Sequence, residues 1–262
     1  HQEHGYFNLQ PERLPLRRAV DPLGEPATVS VELPDRTVYA AVWLVQVGRV
    51  PLLLLDTDVP ENAESDRPIS HILYVRGREM RLHQELILGV GGVRALRKLG
   101  VSPAAWHLNE GHSAFMLVEQ ARELVAEGAT LEDALAQVRD RAVFTIHTPV
   151  PAGNERFSAD LVRELTMPEM AASGIDIEQV LQMGLGVDGD SGQFDMTAFA
   201  LRNTCRANGD SQLHGRVADE TWSPIIDHGI SGITNGVHPP TWVGRPMRKA
   251  LEELGGNLDH QE

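Results

Sequence analysis

The sequence predicts an α/β fold in which an antiparallel meander leads into a parallel sheet with flanking helices, and three observations predict it. Residues 27–56 form three apolar or alternating runs separated by turn residues. Two later apolar runs, AAWHLNE (104–110) and AVFTIH (142–147), are separated by two stretches of helical periodicity. A strand, two helices and a second strand are what a parallel crossover requires. Finally, the runs at 106–112, 144–153 and 233–242 each pass from apolar residues into Asn, His, Gly or Pro, as buried strands do where they open into loops.

In chain order, ATVSVEL, TVYAAVWLVQV and PLLLLDT are broken at Pro34-Asp35 and Gly48-Arg49 and read as the meander. Residues 56–70 carry prolines, acids and Asn62 and read as a polar surface connection. From Arg78 to Leu99, Met80, Leu82, Leu86, Ile87, Val90, Val93 and Leu96 share one helical stripe, interrupted by Gly89, Gly91 and Gly92, which call for a kink or close helix packing. His112 to Glu127 is a helix stopped by Gly128. Thr130 begins another, with the acid of TLED completing a capping box. Beyond 154, helices are expected at 159–164, 175–183, 194–207 and 212–222, a short strand at 230–235 and a last helix at 246–254. Residues 1–60 thus hold the meander and 61–262 the α/β part of the same domain.

Composition narrows the function. The chain has 262 residues, 42% apolar, enough for one substantial core. A formal charge of −14 opposes binding to a phosphate backbone, so nucleic acid is not expected as a partner. No apolar run approaches the roughly 20 residues of a membrane helix, and the start HQEHGYF lacks the apolar core of a secretion signal. The single cysteine, Cys205, forms no internal disulfide, which fits a reducing, cytoplasmic setting. The absence of an initial methionine implies a piece of a longer protein.

Two rival chemistries are weak on their spacing. His107, Glu110 and His112 offer zinc-type donors, but they lack the one-turn helical spacing of HExxH, so no metal is expected. Gly89-Val90-Gly91 with Glu110 about 20 residues on imitates a dinucleotide fingerprint. Yet a charged amphipathic helix precedes it instead of a strand, and Arg94 stands where a third glycine is needed.

WHLNEGH, FTIHTPVPAG and ITNGVHPPTW, in this order, resemble the glycogen/α-glucan phosphorylases, a retaining glycosyltransferase family that uses pyridoxal phosphate. The resemblance covers almost the whole chain and implies a partial Rossmann-like N-terminal domain of a GT-B two-domain enzyme, without its C-terminal cofactor domain. It implies α-glucan and inorganic phosphate as partners, with a homo-oligomer possible. It makes His147 the catalytic residue, contacting the sugar of the scissile linkage, and Asn235 its partner at the sugar 6-hydroxyl. Asn109, Glu110 and His112 then line the glucan cleft. In FDMTAFALRNTCRANGDSQLHG, Asp195-Met196, the Asn208-Gly209 turn and Leu213-His214 match the family's arrangement, with Asn208 and Gly209 in the substrate site. Two departures stand out. Asp210 replaces a small apolar residue and is expected to weaken or alter sugar binding, and Tyr74-Val75-Arg76-Gly77 replaces a glycine-rich arrangement before Arg78-Glu79. The lysines Lys98 and Lys249 lie on charged helix faces, so the cofactor lysine is not expected in this chain. The isolated chain is therefore expected to be inactive in phosphorolysis. A noncatalytic glucan-binding or interaction remnant stays open as an alternative, and so does a nucleotide-sugar glycosyltransferase of similar architecture.

Overall fold

The meander forms where alternation predicts it. A computed structural model describes residues 10–72, 77–149 and 153–254. Strands β1 (Arg17–Arg18), β2 (Thr28–Leu33), β3 (Arg36–Val47) and β4 (Val50–Asp56) make an antiparallel sheet in which β3 pairs with the other three. β2 buries Val29, Val31 and Leu33 and turns the intervening residues outward, the period of two expected of a half-buried strand. Gly48 adopts φ +58°, which allows a two-residue turn to set Val47 opposite Val50. The polar connection after β4 is not wholly on the surface as its composition suggests. Asn62 is buried and its amide answers both backbone groups of Tyr39, at 2.8 and 2.7 Å, beyond the last β3–β4 pair. A carboxamide carries one acceptor and a donor, so it substitutes for a strand neighbour there.

The glycine-interrupted stripe is one continuous helical segment: α1 (Gly77–Leu86), a π-helical turn (Ile87–Gly91) and α2 (Gly92–Lys98). A side chain at Gly89 would come within 2.9 Å of the Met116 amide, so close packing on the next helix accounts for that glycine. Arg94 joins the layers. Its guanidinium reaches the Ser30 carbonyl (2.8 Å), Glu119 (2.8 Å) and Glu169 (2.8 Å), and Glu169 also accepts the Glu32 N–H at 2.8 Å.

The second sheet is parallel. After β5 (Trp106–Asn109) come α3 (Phe115–Ala126), α4 (Leu131–Arg139) and β6 (Ala142–Ile146), the crossover the sequence announces. Thr130 caps α4 through the Asp133 N–H at 3.1 Å. Next follow β7 (Arg156–Ser158), α5 (Ala159–Ser173), α6 (Ile177–Met183) and β8 (Gln193–Asp195). The chain then runs through α7 (Met196–Arg202), β9 (Arg206–Gly209), α8 (Gln212–Trp222), β10 (Ile230–Gly232), α9 (Pro239–Trp242) and α10 (Arg245–Glu253). The order across the sheet is β10-β9-β6-β5, all parallel.

Residues 194–207 are not the single helix their composition suggests. The Asp195 carboxylate caps α7 late, accepting the Thr197 and Ala198 N–H groups, and the helix ends at Arg202. Asn203 and Thr204 then return side-chain hydrogen bonds to the Phe199 and Ala200 carbonyls, and Arg206–Gly209 pair with strands on both sides. Tertiary pairing therefore overrides local helical pattern at 206–209, and Asn208-Gly209 ends a strand. Helix α5 likewise runs to Ser173, past the expected 164, with Pro168 inside it. Phe115, Phe194 and Phe199 stack in the core with ring centroids 5.2 to 6.2 Å apart.

Candidate functional site

The carboxyl ends of β5, β6 and β9 carry five polar side chains in two hydrogen-bonded sets. From β5, the His107 Nε2 lies 2.7 Å from the Thr145 hydroxyl of β6, which donates to Asn208 Oδ1 of β9 at 2.9 Å. Two residues further along each path, Asn109 Oδ1 at the end of β5 meets Nε2 of His147, just past β6, at 2.5 Å. This follows from the register, which pairs His107 with Val143 and Asn109 with Thr145. In a parallel sheet the strand ends stand side by side, so residues far apart in sequence become lateral neighbours there.

Glu110 sets the exit of both loops. It is the only non-glycine among the described residues with positive φ, at φ 68°, ψ 174°, a region costing about 1–3 kcal/mol for such a residue. The surroundings hold it there. Its N–H donates to the Thr145 carbonyl at 2.9 Å, and its carboxylate accepts the His147 N–H at 2.5 Å and the Thr148 hydroxyl at 3.0 Å. Glu110 thus acts on the His147 loop from beneath. The following residues 150–152 of the expected Pro-rich loop lie outside the described residues, as does the expected departure at 74–76.

Asp210, at the end of β9, faces His147 from the other side. One carboxylate oxygen is 2.8 Å from Nδ1 of buried His214 and the other 3.5 Å from Nδ1 of His147. The two imidazoles, His214 first, hold the Asp210 carboxyl below its usual range. Its backbone carbonyl accepts the Asn235 N–H at 3.0 Å, so the loop after β10 is tied to the same residue. Behind it, three glycines interlock. A Cβ at Gly209 would lie 2.7 Å from the Gly215 N, one at Gly215 2.6 Å from the Gly232 Cα, and one at Gly232 2.6 Å from the Gln212 Cα. Only glycine permits such backbone approach.

Of the residues singled out in the sequence, His147, Asn109 and Glu110 are in direct contact, Asn208 joins through Thr145, and Asn235 joins through the Asp210 carbonyl. Gly209 contributes by its lack of a side chain. His112 stands in a separate cluster. Its Nδ1 is 2.7 Å from Arg81 Nη2 and 3.7 Å from Glu85, while Arg81 also pairs with Glu155, which binds Arg78. Glu85 is almost fully buried, and its desolvation pushes its carboxyl up to about 7, against the opposing pull of His112 and Arg81. Sequence reading passed over this cluster, although Arg81 and Glu85, spaced i,i+4 on an otherwise apolar stripe, signal a buried pair. Asp210, singled out in the sequence as a departure, contacts His147, His214 and the Asn235 N–H.

Among the described residues, no group of three or more His, Cys, Asp or Glu side chains is arranged to hold a metal ion, and no helix is long and apolar enough to cross a membrane. Lys98 pairs with Asp21 at 3.1 Å, and Lys249 is exposed on α10 beside Glu253.

The sequence is 40% identical to glycogen phosphorylase of Mycobacterium tuberculosis (strain CDC 1551 / Oshkosh) over 275 residues, 98% of this chain and 32% of that protein. It is 37% identical to maltodextrin phosphorylase of Thermococcus litoralis over 278 residues, again 98% of this chain and 33% of the relative. Glycogen phosphorylase of Aquifex aeolicus is 34% identical over 253 residues, 95% of this chain and 37% of the relative. No family model matches the sequence. The chain spans about a third of the length of these relatives.

Proposed function

We propose that this chain, a relative of the glycogen and maltodextrin phosphorylases over nearly its whole length, forms the sugar-holding half of an α-glucan phosphorylase cleft. In the complete protein the reaction would be removal of a glucose unit from the non-reducing end of an α-1,4-glucan by inorganic phosphate, releasing glucose 1-phosphate. The observation that carries this reading is that Asp210 meets the His147 ring with its carboxylate and the Asn235 backbone N–H with its carbonyl, which brings the two loops to one strand end. Imidazole and carboxamide suit a neutral sugar, since they offer directional donors and acceptors without burying a charge. His147 and Asn235 would hold the terminal glucose. Asn109, Asn208 and Gly209 would shape the wall beneath it, and His112 the adjoining cleft.

The residues present do not fit pyridoxal phosphate. Each lysine is on a helix, one paired with Asp21 and the other beside Glu253. The cofactor and the phosphate site would belong to the portion of a GT-B protein outside this third, and the contribution of this chain is to bind and orient glucan. The exposure of Ile233, Val237, Trp242 and Met247, in the segment around and after Asn235, agrees with further protein covering this segment. A cytoplasmic setting agrees with the lone cysteine.

Electrophoresis of the chain through a gel containing glycogen tests this reading. Retarded migration that His147→Ala and Asn235→Ala abolish is expected. Migration unaffected by glycogen would overturn it.

A further inference from the structure

His147 is about a third exposed, and a ring so placed turns freely unless something holds it. Asn109 holds it at Nε2. The second hold is at Nδ1, where the Asp210 carboxylate approaches to 3.5 Å. That carboxylate is itself immobilised. His214, 7% exposed, anchors its other oxygen at 2.8 Å, and His214 is set by α8, whose first turn is capped by Ser211. The backbone of Asp210 has equally little freedom, because it continues β9 and accepts the Asn235 N–H.

We propose that Asp210 is the positioning residue of this site: its carboxylate fixes the ring of His147 and its carbonyl fixes the loop of Asn235, so one residue sets the spacing of the two sugar-facing groups. A carboxylate opposite Nδ1 favours the tautomer with its proton there. Nε2 is then an acceptor, so the Asn109 carboxamide must present its NH2 rather than its Oδ1 to the ring, and an arriving hydroxyl would donate to Nε2 in place of that amide. Burial of His214 gives this arrangement its stiffness: a surface carboxylate alone would pay side-chain entropy to stay in place, whereas one pinned to a packed ring keeps its orientation. The inference rests on the glucan reading for its ligand, but not for its geometry.

The test uses the whole chain with 15N-labelled histidine, the His147 ring signals being identified by their loss in His147→Gln. Asp210→Asn preserves volume and one acceptor, and Asp210→Ala removes both. The Nδ1-protonated pattern is expected in the parent chain, a shift towards Nε2 protonation in Asp210→Ala, and a lesser one in Asp210→Asn. Affinity for maltoheptaose should fall about tenfold or more in Asp210→Ala, the scale of one lost charge-assisted hold. Ring signals indifferent to both substitutions overturn the proposal, as does unchanged maltoheptaose affinity once the ring has moved. If the ring responds to Asp210 but the parent chain binds no maltoheptaose, the positioning stands and the glucan reading fails.

Discussion

The carboxylate of Glu110 accepts the backbone N–H of His147 at 2.5 Å, and it does so from a backbone conformation that non-glycine residues seldom adopt. The two facts explain each other. Only with the chain turned sharply after Asn109 does the Glu110 side chain fold back under the loop leaving β6, where the Thr148 hydroxyl also reaches it. The strain is stored at the strand ends and offset by hydrogen bonds to a charged acceptor, each worth roughly 1.5–3 kcal/mol.

Glu110→Ala should therefore loosen the His147 loop. Maltoheptaose affinity measured by calorimetry is expected to drop about tenfold or more, the equivalent of about 1.4 kcal/mol or one such bond. Glu110→Gln, which keeps an acceptor, should lie between the two. Equal affinity in all three proteins would show that the loop holds itself.

Gly215→Ala tests the backbone interlock behind Asp210. A methyl group there meets the Gly232 Cα and N at 2.6 Å, atoms that cannot step aside without moving β10. Urea unfolding should show a loss on the order of 1–3 kcal/mol, the usual cost of overpacking. A neutral result would mean that β10 shifts easily and that Asn235 is not held by the interlock.

The clamp between the meander and the helices is tested by Glu169→Ala. Removing Glu169 leaves Arg94 with the Glu119 carboxylate alone and the Glu32 N–H without its acceptor, a loss on the order of 1–3 kcal/mol for hydrogen bonds to a charged group. Chemical denaturation reads this directly.

Much of this architecture was legible beforehand, for physical reasons that particular residues illustrate. Val29, Val31 and Leu33 alternate because one face of β2 is buried, and Thr130 announces α4 because its hydroxyl must satisfy an orphan amide. Strand β9 was not legible. Arg206–Gly209 carries little apolar character and becomes a strand only because β6 and β10 flank it. In the site, His147 and Asn109 stood out by residue type at strand ends. The approach of Asp210 to His147 depends on a distance between loops that no local pattern encodes, and so does that of His112 to Arg81 and Glu85, whereas the pairs Asp210–His214 and Arg81–Glu85 are spaced i,i+4.

Glu85 gives the pH prediction. Its carboxyl is raised in the folded chain from an ordinary 4.5 to about 7, so the native state binds the proton more tightly than the unfolded one. Stability is then fully present below about pH 4.5 and declines as pH rises towards 7, by at most about 3 kcal/mol. Glu85→Gln should remove this decline and melt higher than the parent at pH 8, with the two converging near pH 4. Parallel melting curves across that interval would contradict it.

The central claim, that His147 and Asn235 serve one sugar, is tested most directly by titrating maltoheptaose into isotope-labelled chain and following both side chains by NMR. The account predicts that the His147 ring and the Asn235 carboxamide signals shift together along one binding curve. A curve for one residue with the other unmoved, or two different affinities, would contradict it.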